Sequence, residues 1–358
     1  MNSPLISAWS DRIKHAAAEK RPLQLQGSGS KAFYGHPTAG EVFHLHENTG
    51  ILSYEPSELV ITVNGGTRLH DIEQALAEHH QYLPFEPPYF ANTATIAGCV
   101  AAGLAGPRRA YAGAVQDFVL GAHLLDGRGD YLRFGGQVMK NVAGYDVSRL
   151  LCGSLGTLGV ITQLSIKVLP IPAKQVTLRL DLAQDQALTL INQLSAQPLP
   201  ISASAWHDHQ LYIRLAGANN AITEGIKTIG GERLAPELAD DFWKQLREQQ
   251  HAFFQNAPST HTLWRLSVPS TSPAFLQDLP QLIEWGGALR WLWGDLPASQ
   301  LREETAKQGG TATAFRHPHD QQIFHPLPAP VLRLQKNLKQ KFDPAGIFNP
   351  GRLYPGEL

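Results

Sequence analysis

Three glycine-rich segments hold the residues whose types and spacing could do chemistry. Gly27-Ser28-Gly29-Ser30-Lys31 follows Leu23-Gln24-Leu25-Gln26, an apolar/polar alternation that predicts a short strand. Successive Gly and Ser residues let several backbone N–H groups converge on one anion, and Lys31 adds a positive charge. This is a phosphate cradle in outline, although the same residues also suit an ordinary turn. It lacks the Gly-x-x-x-x-Gly-Lys-Ser/Thr spacing of a P-loop and the Gly-x-Gly-x-x-Gly that opens a Rossmann helix. The second segment runs Pro87-Pro88-Tyr89-Phe90-Ala91-Asn92-Thr93-Ala94-Thr95-Ile96-Ala97-Gly98, then on to Gly103, Gly106, Arg108 and Arg109. Thr93 or Thr95 can cap a helix start, where a phosphate is favoured and small residues admit it closely. A small-residue helix packed on a sheet fits the same pattern. The third segment joins Lys140-Asn141-Val142-Ala143-Gly144-Tyr145-Asp146 to Gly153-Ser154-Leu155-Gly156-Thr157-Leu158-Gly159-Val160-Ile161. Its exposed backbone could bond a phosphate or a nucleobase edge.

These segments need elements to position them. Leu59 to Val63 is an apolar strand run, broken by Gly65-Gly66. Thr67 can then cap a helix with Leu69, Ile72 and Leu76 on one face. Two apolar runs flank Asp126-Gly127, a hairpin signal. Val160, Leu164, Ile166 and Val168 alternate with Gln163, Ser165 and Lys167, which predicts a half-buried strand. Beyond the phrase Leu169-Pro170-Ile171-Pro172 the texture changes. Strand runs at 176–182 and 263–268, and a hairpin at 201–215 around His207-Asp208-His209, alternate with helix faces such as Leu188/Ile191/Leu194 and Ile222/Ile226/Ile229. This predicts an antiparallel sheet with helices on one face. The reading is an α+β chain with divisions at 1–172, 173–330 and 331–358.

Composition excludes several classes. The 358 residues fit two domains at roughly 150 residues each. Lys plus Arg is 30 against 31 Asp plus Glu, which gives no electrostatic case for nucleic acid. Two cysteines, Cys99 and Cys152, cannot build a disulfide framework or an iron–sulfur site. They read as reduced buried thiols of a cytoplasmic protein. Leu5, Ile6, Trp9, Ile13 and Ala17 recur at helical spacing, which predicts an amphipathic helix rather than a signal peptide. No apolar run approaches the roughly 20 residues of a membrane span. Peripheral docking on the inner membrane face stays open.

Taken together, the segments resemble the FAD-binding domain of the vanillyl-alcohol oxidase and p-cresol methylhydroxylase (PCMH) type flavoproteins. The resemblance rests on ordered matches: 27–31; Thr95-Ile96-Ala97-Gly98; Arg109, Gly113 and Asp117-Phe118-Val119-Leu120-Gly121; 156–162; and the ending Asp343-Pro344-Ala345-Gly346-Ile347-Phe348-Asn349-Pro350-Gly351. Within that type the chain is similar to the E-subunit family of bacterial glycolate oxidases. Glu86-Pro87-Pro88, Gly106-Pro107-Arg108-Arg109, 140–146 and Gln197-Pro198-Leu199-Pro200 carry this likeness.

The resemblance implies a two-lobed FAD-binding domain with a smaller antiparallel α+β cap. It implies noncovalent FAD, since 27–31 lacks the histidine that tethers flavin in some relatives. The implied cofactor-binding residues are Gly27, Ser28, Gly29, Ser30, Lys31, Pro88, Thr95, Ile96, Ala97, Gly98, Gly103, Arg109, Gly113, Asp117, Val119, Tyr145, Gly156, Gly159, Val160, Ile161 and Asn349. In that reading Asn349 reaches the flavin ring. The implied partners are a larger flavoprotein D subunit and an iron–sulfur F subunit, oxidising glycolate to glyoxylate for a respiratory chain.

One departure matters. The His-x-Gly-Asp-Gly-Asn motif of related 2-hydroxy-acid dehydrogenases is absent. His207-Asp208-His209, His317-Pro318-His319 and His325 are the nearest substitutes, and they read as ordinary histidines with no metal site. The expected role is therefore a flavoprotein subunit that does not itself oxidise most of the substrate. The alternatives are a stand-alone dehydrogenase with His207, His317 or Tyr145 as base, and a flavin-free scaffold. The Trp-rich stretch at 285–293 is a candidate partner surface, although tryptophans in such a stretch more often belong to a core.

Overall fold

The structure is a computed structural model that describes residues 3–136, 146–256, 260–316 and 322–358. Its first half contains α1 (Pro4–Ala18), β1 (Leu23–Gln26), β2 (Glu41–His44), β3 (Ile51–Glu55), β4 (Val60–Asn64), α2 (Leu69–Ala77) and β5 (Gln81–Tyr82). Then come α3 (Ile96–Ala102), α4 (Arg109–Ala112), β6 (Val119–Leu125), β7 (Tyr131–Gly135), α5 (Val147–Leu150), β8 (Val160–Lys167) and β9 (Leu169–Pro170).

Ser3 caps α1 by accepting from the Ile6 N–H at 3.3 Å. Ile6, Trp9, Ile13 and Ala16 then form its buried face. They pack with Leu23 and Phe43 of the parallel β1–β2 pair, which makes one lobe. The second lobe is an antiparallel sheet in the order β3-β4-β8-β6-β7, with α2 and α3 packed on its apolar side. β8 is central and more buried than its alternation predicts, because its polar members are satisfied internally. Ser165 shares a 2.9 Å hydrogen bond with Thr62 of β4. Thr67 does not cap α2. Its hydroxyl donates to the Asn64 carbonyl at 2.7 Å and fixes the turn before Arg68, the actual N-cap. That turn needs a glycine: a Cβ on Gly65 would lie 2.3 Å from the Ile161 carbonyl oxygen.

The remainder contains β10 (Lys174–Asp181), α6 (Gln184–Ser195), β11 (Ile201–His207), β12 (Gln210–Gly217), α7 (Asn219–Ile229), β13 (Glu232–Arg233), α8 (Pro236–Arg247) and α9 (Ala252–Gln255). It continues with β14 (Thr262–Ser267), β15 (Gln281–Glu284), β16 (Leu289–Gly294), α10 (Ala298–Lys307), β17 (Thr311–Arg316) and α11 (Ala329–Phe342). Its strands form one antiparallel sheet in the order β13-β10-β12-β11-β15-β16-β14-β17.

The expectation of helices on one face is corrected. Val176 and Leu178 of β10 pack with α6 and α7, whereas Thr177 between them accepts from the Trp243 indole of α8 at 2.9 Å. α8 and α9 thus cover the opposite face, together with Tyr34, Ala102 and Leu104 from the first half. In the Trp-rich stretch, Trp285 and Trp291 are buried in the core, the placement favoured for such residues over a partner surface. Trp285 donates to the Gly106 carbonyl at 3.0 Å, and Trp291 donates to the Glu284 carboxylate at 2.9 Å.

Two acidic groups lie where the sheet meets the first half. Glu86 accepts from the Arg108 Nε at 3.2 Å and from an Arg214 guanidinium nitrogen at 2.9 Å. Burial alone would push the Glu86 carboxyl up, but Arg214 and Arg108 together hold it below its ordinary value. Glu284 has no such pairing. Burial pushes its carboxyl up to about 7, against the Trp291 indole, Arg265 of β14 and Arg214 of β12, with Glu86 adding repulsion.

Because the folded value lies above the unfolded one, the neutral acid favours the native state at low pH. That contribution is lost as pH rises from about 4.5 through about 7. Over this window the wild type is expected to lose on the order of 3 kcal/mol more stability than Glu284→Gln, at about 1.4 kcal/mol per pKa unit. Urea unfolding at both ends of the window measures it. Parallel pH profiles for the two proteins would refute it.

Candidate cofactor cleft

A cleft of about 930 Å³, counting the part open to solvent, lies between the two lobes of the first half. One wall is β1 and the loop after it, contributing Gln24 to Ala32 and Thr38. The other is the start of α3 with the ends of β4 and β8, contributing Gly65, Thr95, Ala97, Gly98 and Ile161. Leu155, Gly156, Asn349 and Arg352 complete the lining. Thr95 caps α3 with its hydroxyl 3.4 Å from the Gly98 N–H. A Cβ on Gly27 would lie 2.5 Å from that hydroxyl oxygen, so the two walls meet here only because residue 27 is glycine.

The three segments singled out in the sequence converge on this cleft. Gly27, Ser28, Gly29, Ser30, Lys31, Thr95, Ala97, Gly98, Gly156, Gly159, Ile161 and Asn349 all line it. The other expected residues stand outside the lining. Ile96 and Val119 point into the core under the five-stranded sheet, and Val160 into the core under α1. Pro88 is buried in the segment that meets α8. Gly103 ends α3 in a left-handed conformation. The Arg109 guanidinium stacks 4.7 Å from the Trp285 ring. Gly113 packs on Asp117, whose carboxylate accepts from the Ala114 N–H at 2.8 Å. Tyr145, the rest of its 140–144 motif, His317 and His319 lie outside the described residues.

Lys31 lines the cleft, but its ammonium turns away from the glycine loop. It donates to the Tyr89 carbonyl at 3.3 Å and lies 5.6 Å from the Phe90 ring. Burial pushes its pKa down, with Cys99 and Glu248 opposing. Gln26, Thr38, Gly65 and Arg352 are lining residues that sequence reasoning missed. Only Gln26 carried a signal, as an outward position of the β1 alternation.

The histidines that stand nearest to the missing motif separate in the fold. His207 ends β11, but Asp208 and His209 form the turn with positive φ. The His207 ring therefore faces Phe253 and His251, while the His209 ring faces Trp206. The two do not converge. Among the described residues, no group of three or more His, Cys, Asp or Glu is placed to hold a metal ion.

The fold and the cleft define a flavoprotein of the PCMH type, and residues 7–135 match the family described as FAD binding domain. The chain belongs to the family of the glycolate oxidase subunit GlcE. It is 48% identical to that subunit of Escherichia coli (strain K12), over 96% of each chain. It is also 34% identical over 170 residues to the glycolate oxidase subunit GlcD of Bacillus subtilis (strain 168), covering 47% of this chain and 36% of that one. An alkyldihydroxyacetonephosphate synthase structure superposes with a TM-score of 0.65 at 13% identity, covering 95% of this chain and 73% of that one. That likeness shows the shared fold.

The lining fits FAD. Among the described residues, no group accepts from the backbone N–H of Gly27, Ser28, Gly29 or Lys31. These are donors that a pyrophosphate can satisfy. The Thr38 hydroxyl is buried with no partner among the described residues, a group that costs stability until something bonds it. Thr38→Val is therefore expected to weaken FAD binding by up to about tenfold, the worth of one hydrogen bond. Fluorescence titration of the apoprotein with FAD checks it. An unchanged dissociation constant would place the Thr38 hydroxyl outside the binding set.

Proposed function

We propose that this chain is the FAD-holding E subunit of a multi-subunit glycolate dehydrogenase. In this reading it binds FAD noncovalently in the cleft and works beside a larger flavoprotein D subunit and an iron–sulfur F subunit. The assembly oxidises glycolate to glyoxylate and passes electrons to a respiratory chain. Residues 1–172 form the FAD-binding domain, 173–330 the cap, and 331–358 the segment that returns to the first domain. The observation that carries the reading is the 48% identity to an E subunit along 96% of both chains.

When bound, FAD supplies the redox chemistry. The chain's own residues bind and position it. The glycine loop offers backbone donors and Thr95 and Gly98 present a helix start, while Tyr34, just beyond the loop, packs on Phe315 of the cap sheet, which in turn meets Trp291. The sequence offers no His-x-Gly-Asp-Gly-Asn motif, and the His207 imidazole is engaged with the Gln281 carbonyl at 3.1 Å. The chain is therefore assigned a supporting role in the assembly rather than the main substrate oxidation. Among the described residues no helix is long and apolar enough to cross a membrane. Any membrane association is assigned to the complex, on the cytoplasmic side.

Anaerobic addition of glycolate to the isolated holoprotein tests the role. The flavin is expected to stay oxidised until the D and F subunits are added. Bleaching by glycolate alone would instead make the chain a dehydrogenase in its own right.

A further inference from the structure

Asn349 was expected to reach the flavin ring; in the structure it lines the cleft and its amide also bonds two backbone groups. Its Oδ1 accepts from the Leu25 N–H at 2.8 Å, and its Nδ2 donates to the Leu155 carbonyl at 2.6 Å. Leu25 belongs to one wall of the cleft. Leu155 precedes Gly156 on the other side and is tied to α3 through the Ala101 carbonyl at 2.8 Å. One side chain thus spans both walls. Its backbone has a φ of 42°, a left-handed conformation that asparagine tolerates better than most residues.

Three residues on, Arg352 reaches the loop that follows the glycine cradle. Its guanidinium donates to the carbonyls of His36 at 2.8 Å, Ala32 at 2.8 Å and Tyr34 at 2.7 Å. Its own carbonyl accepts from the His36 N–H at 2.9 Å. The segment is itself anchored. Asp343 accepts from the Ile347 and Phe348 N–H groups, and Lys339 bonds Asp343 at 2.6 Å and the Thr157 carbonyl at 2.8 Å.

We propose that residues 349–352 are a clasp that joins the two walls of the cleft and governs how long FAD is retained. Asn349 and Arg352 are its positioning residues. They act on the cofactor through the walls they join, so the proposal rests on the FAD reading above. Opening a wall to release FAD requires breaking the Asn349 bridge or freeing the loop from the Arg352 fork. Backbone bonds already hold this segment to β1, the Leu23 N–H donating to the Ile347 carbonyl at 2.7 Å and the Asn349 N–H to the Leu23 carbonyl at 3.0 Å, so the side-chain bridge to Leu155 is what carries the tie across to the other wall.

The test compares Asn349→Asp, Arg352→Met and Leu301→Ala with the wild type. Asn349→Asp keeps the acceptor for Leu25 but turns a carboxylate oxygen toward the Leu155 carbonyl. Arg352→Met keeps the apolar stem and removes the fork, and it serves if the aspartate variant does not fold. Leu301→Ala empties a fully buried site among Trp264, Leu266 and Leu292 on the outer face of the cap sheet, and controls for general destabilisation.

FAD release is read as the rise in flavin fluorescence after dilution of each holoprotein. Visible circular dichroism of the bound flavin is read alongside, and urea midpoints of the apoproteins place the variants on one stability scale. Release at least tenfold faster in Asn349→Asp or Arg352→Met than in Leu301→Ala, with altered dichroism, is the expected result. Release that simply tracks the urea midpoint, with wild-type dichroism, would overturn the clasp while leaving the FAD reading intact. A wild-type chain that takes up no FAD would overturn both.

Discussion

Replacing Glu86 with alanine is expected to lower the unfolding free energy by about 3–5 kcal/mol. The carboxylate pairs with two guanidiniums whose side chains are 8% and 4% exposed, those of Arg108 and Arg214, and among the described residues no other ion pair bonds either of them. Removing it leaves two buried like charges without their counter-ion, and desolvation dominates such a change. Arg108 keeps the Gln175 side chain at 2.9 Å and Arg214 keeps Ser202 at 3.2 Å, but neither neutral group replaces a charge. Because Glu86 and Arg108 belong to the first half and Arg214 to β12, the loss should also loosen the cap sheet against the first half. Urea unfolding measures the effect as a fall in midpoint at unchanged slope. A loss below about 1 kcal/mol, the range of an exposed pair, would mean that water reaches the triad.

The second large effect concerns the glycine loop. Gly27→Ala is expected to weaken FAD binding by about 100-fold, close to 2.8 kcal/mol. The added methyl would lie 2.5 Å from the Thr95 hydroxyl oxygen and 3.6 Å from the Thr95 Cβ. Thr95 cannot swing aside without uncapping α3, since it is buried and faces the Gly98 N–H. The loop must move instead, and overpacking of this kind typically costs 1–3 kcal/mol. Thr95→Ala in the same chain removes the clashing atom, so the double variant should recover part of the affinity despite the lost cap. Equal affinities for Gly27→Ala and its double variant would show that the walls are not in contact at this point.

The parts of the site legible in the sequence were those whose signals are local. A glycine loop after a strand, a threonine before a small-residue helix and three glycines before an apolar strand are each contained within a dozen residues. Their convergence on one cleft is what the resemblance to the flavoproteins anticipated. Thr38 and Arg352 carried no such signal, because their roles depend on partners brought near only by the tertiary fold. Arg352 serves carbonyls more than 300 positions away. Asn349 was found by its motif, but the two backbone groups that its amide bonds, 324 and 194 positions away, carried no local signal.

The cap sheet failed for a different reason. Ser202 and Ser204 alternate with Ala203 and Ala205 in β11, a pattern that reads as one wet face. In the fold, the Ser202 hydroxyl donates to the Arg214 carbonyl and Ser204 accepts from the Gly286 N–H, so both faces are buried. The hairpin at His207-Asp208-His209 was legible as a turn, but the left-handed residues that part the two rings were not.

The central claim is that the cleft between 27–31, 95–98 and 156–161 holds one noncovalent FAD. The most direct measurement is a visible absorption spectrum of the purified, reconstituted chain, repeated after acid precipitation. The account predicts the two visible bands of oxidised flavin at one FAD per chain, with all the flavin released into the supernatant. A chain that stays colourless through reconstitution would contradict it, as would flavin that remains attached to the precipitate.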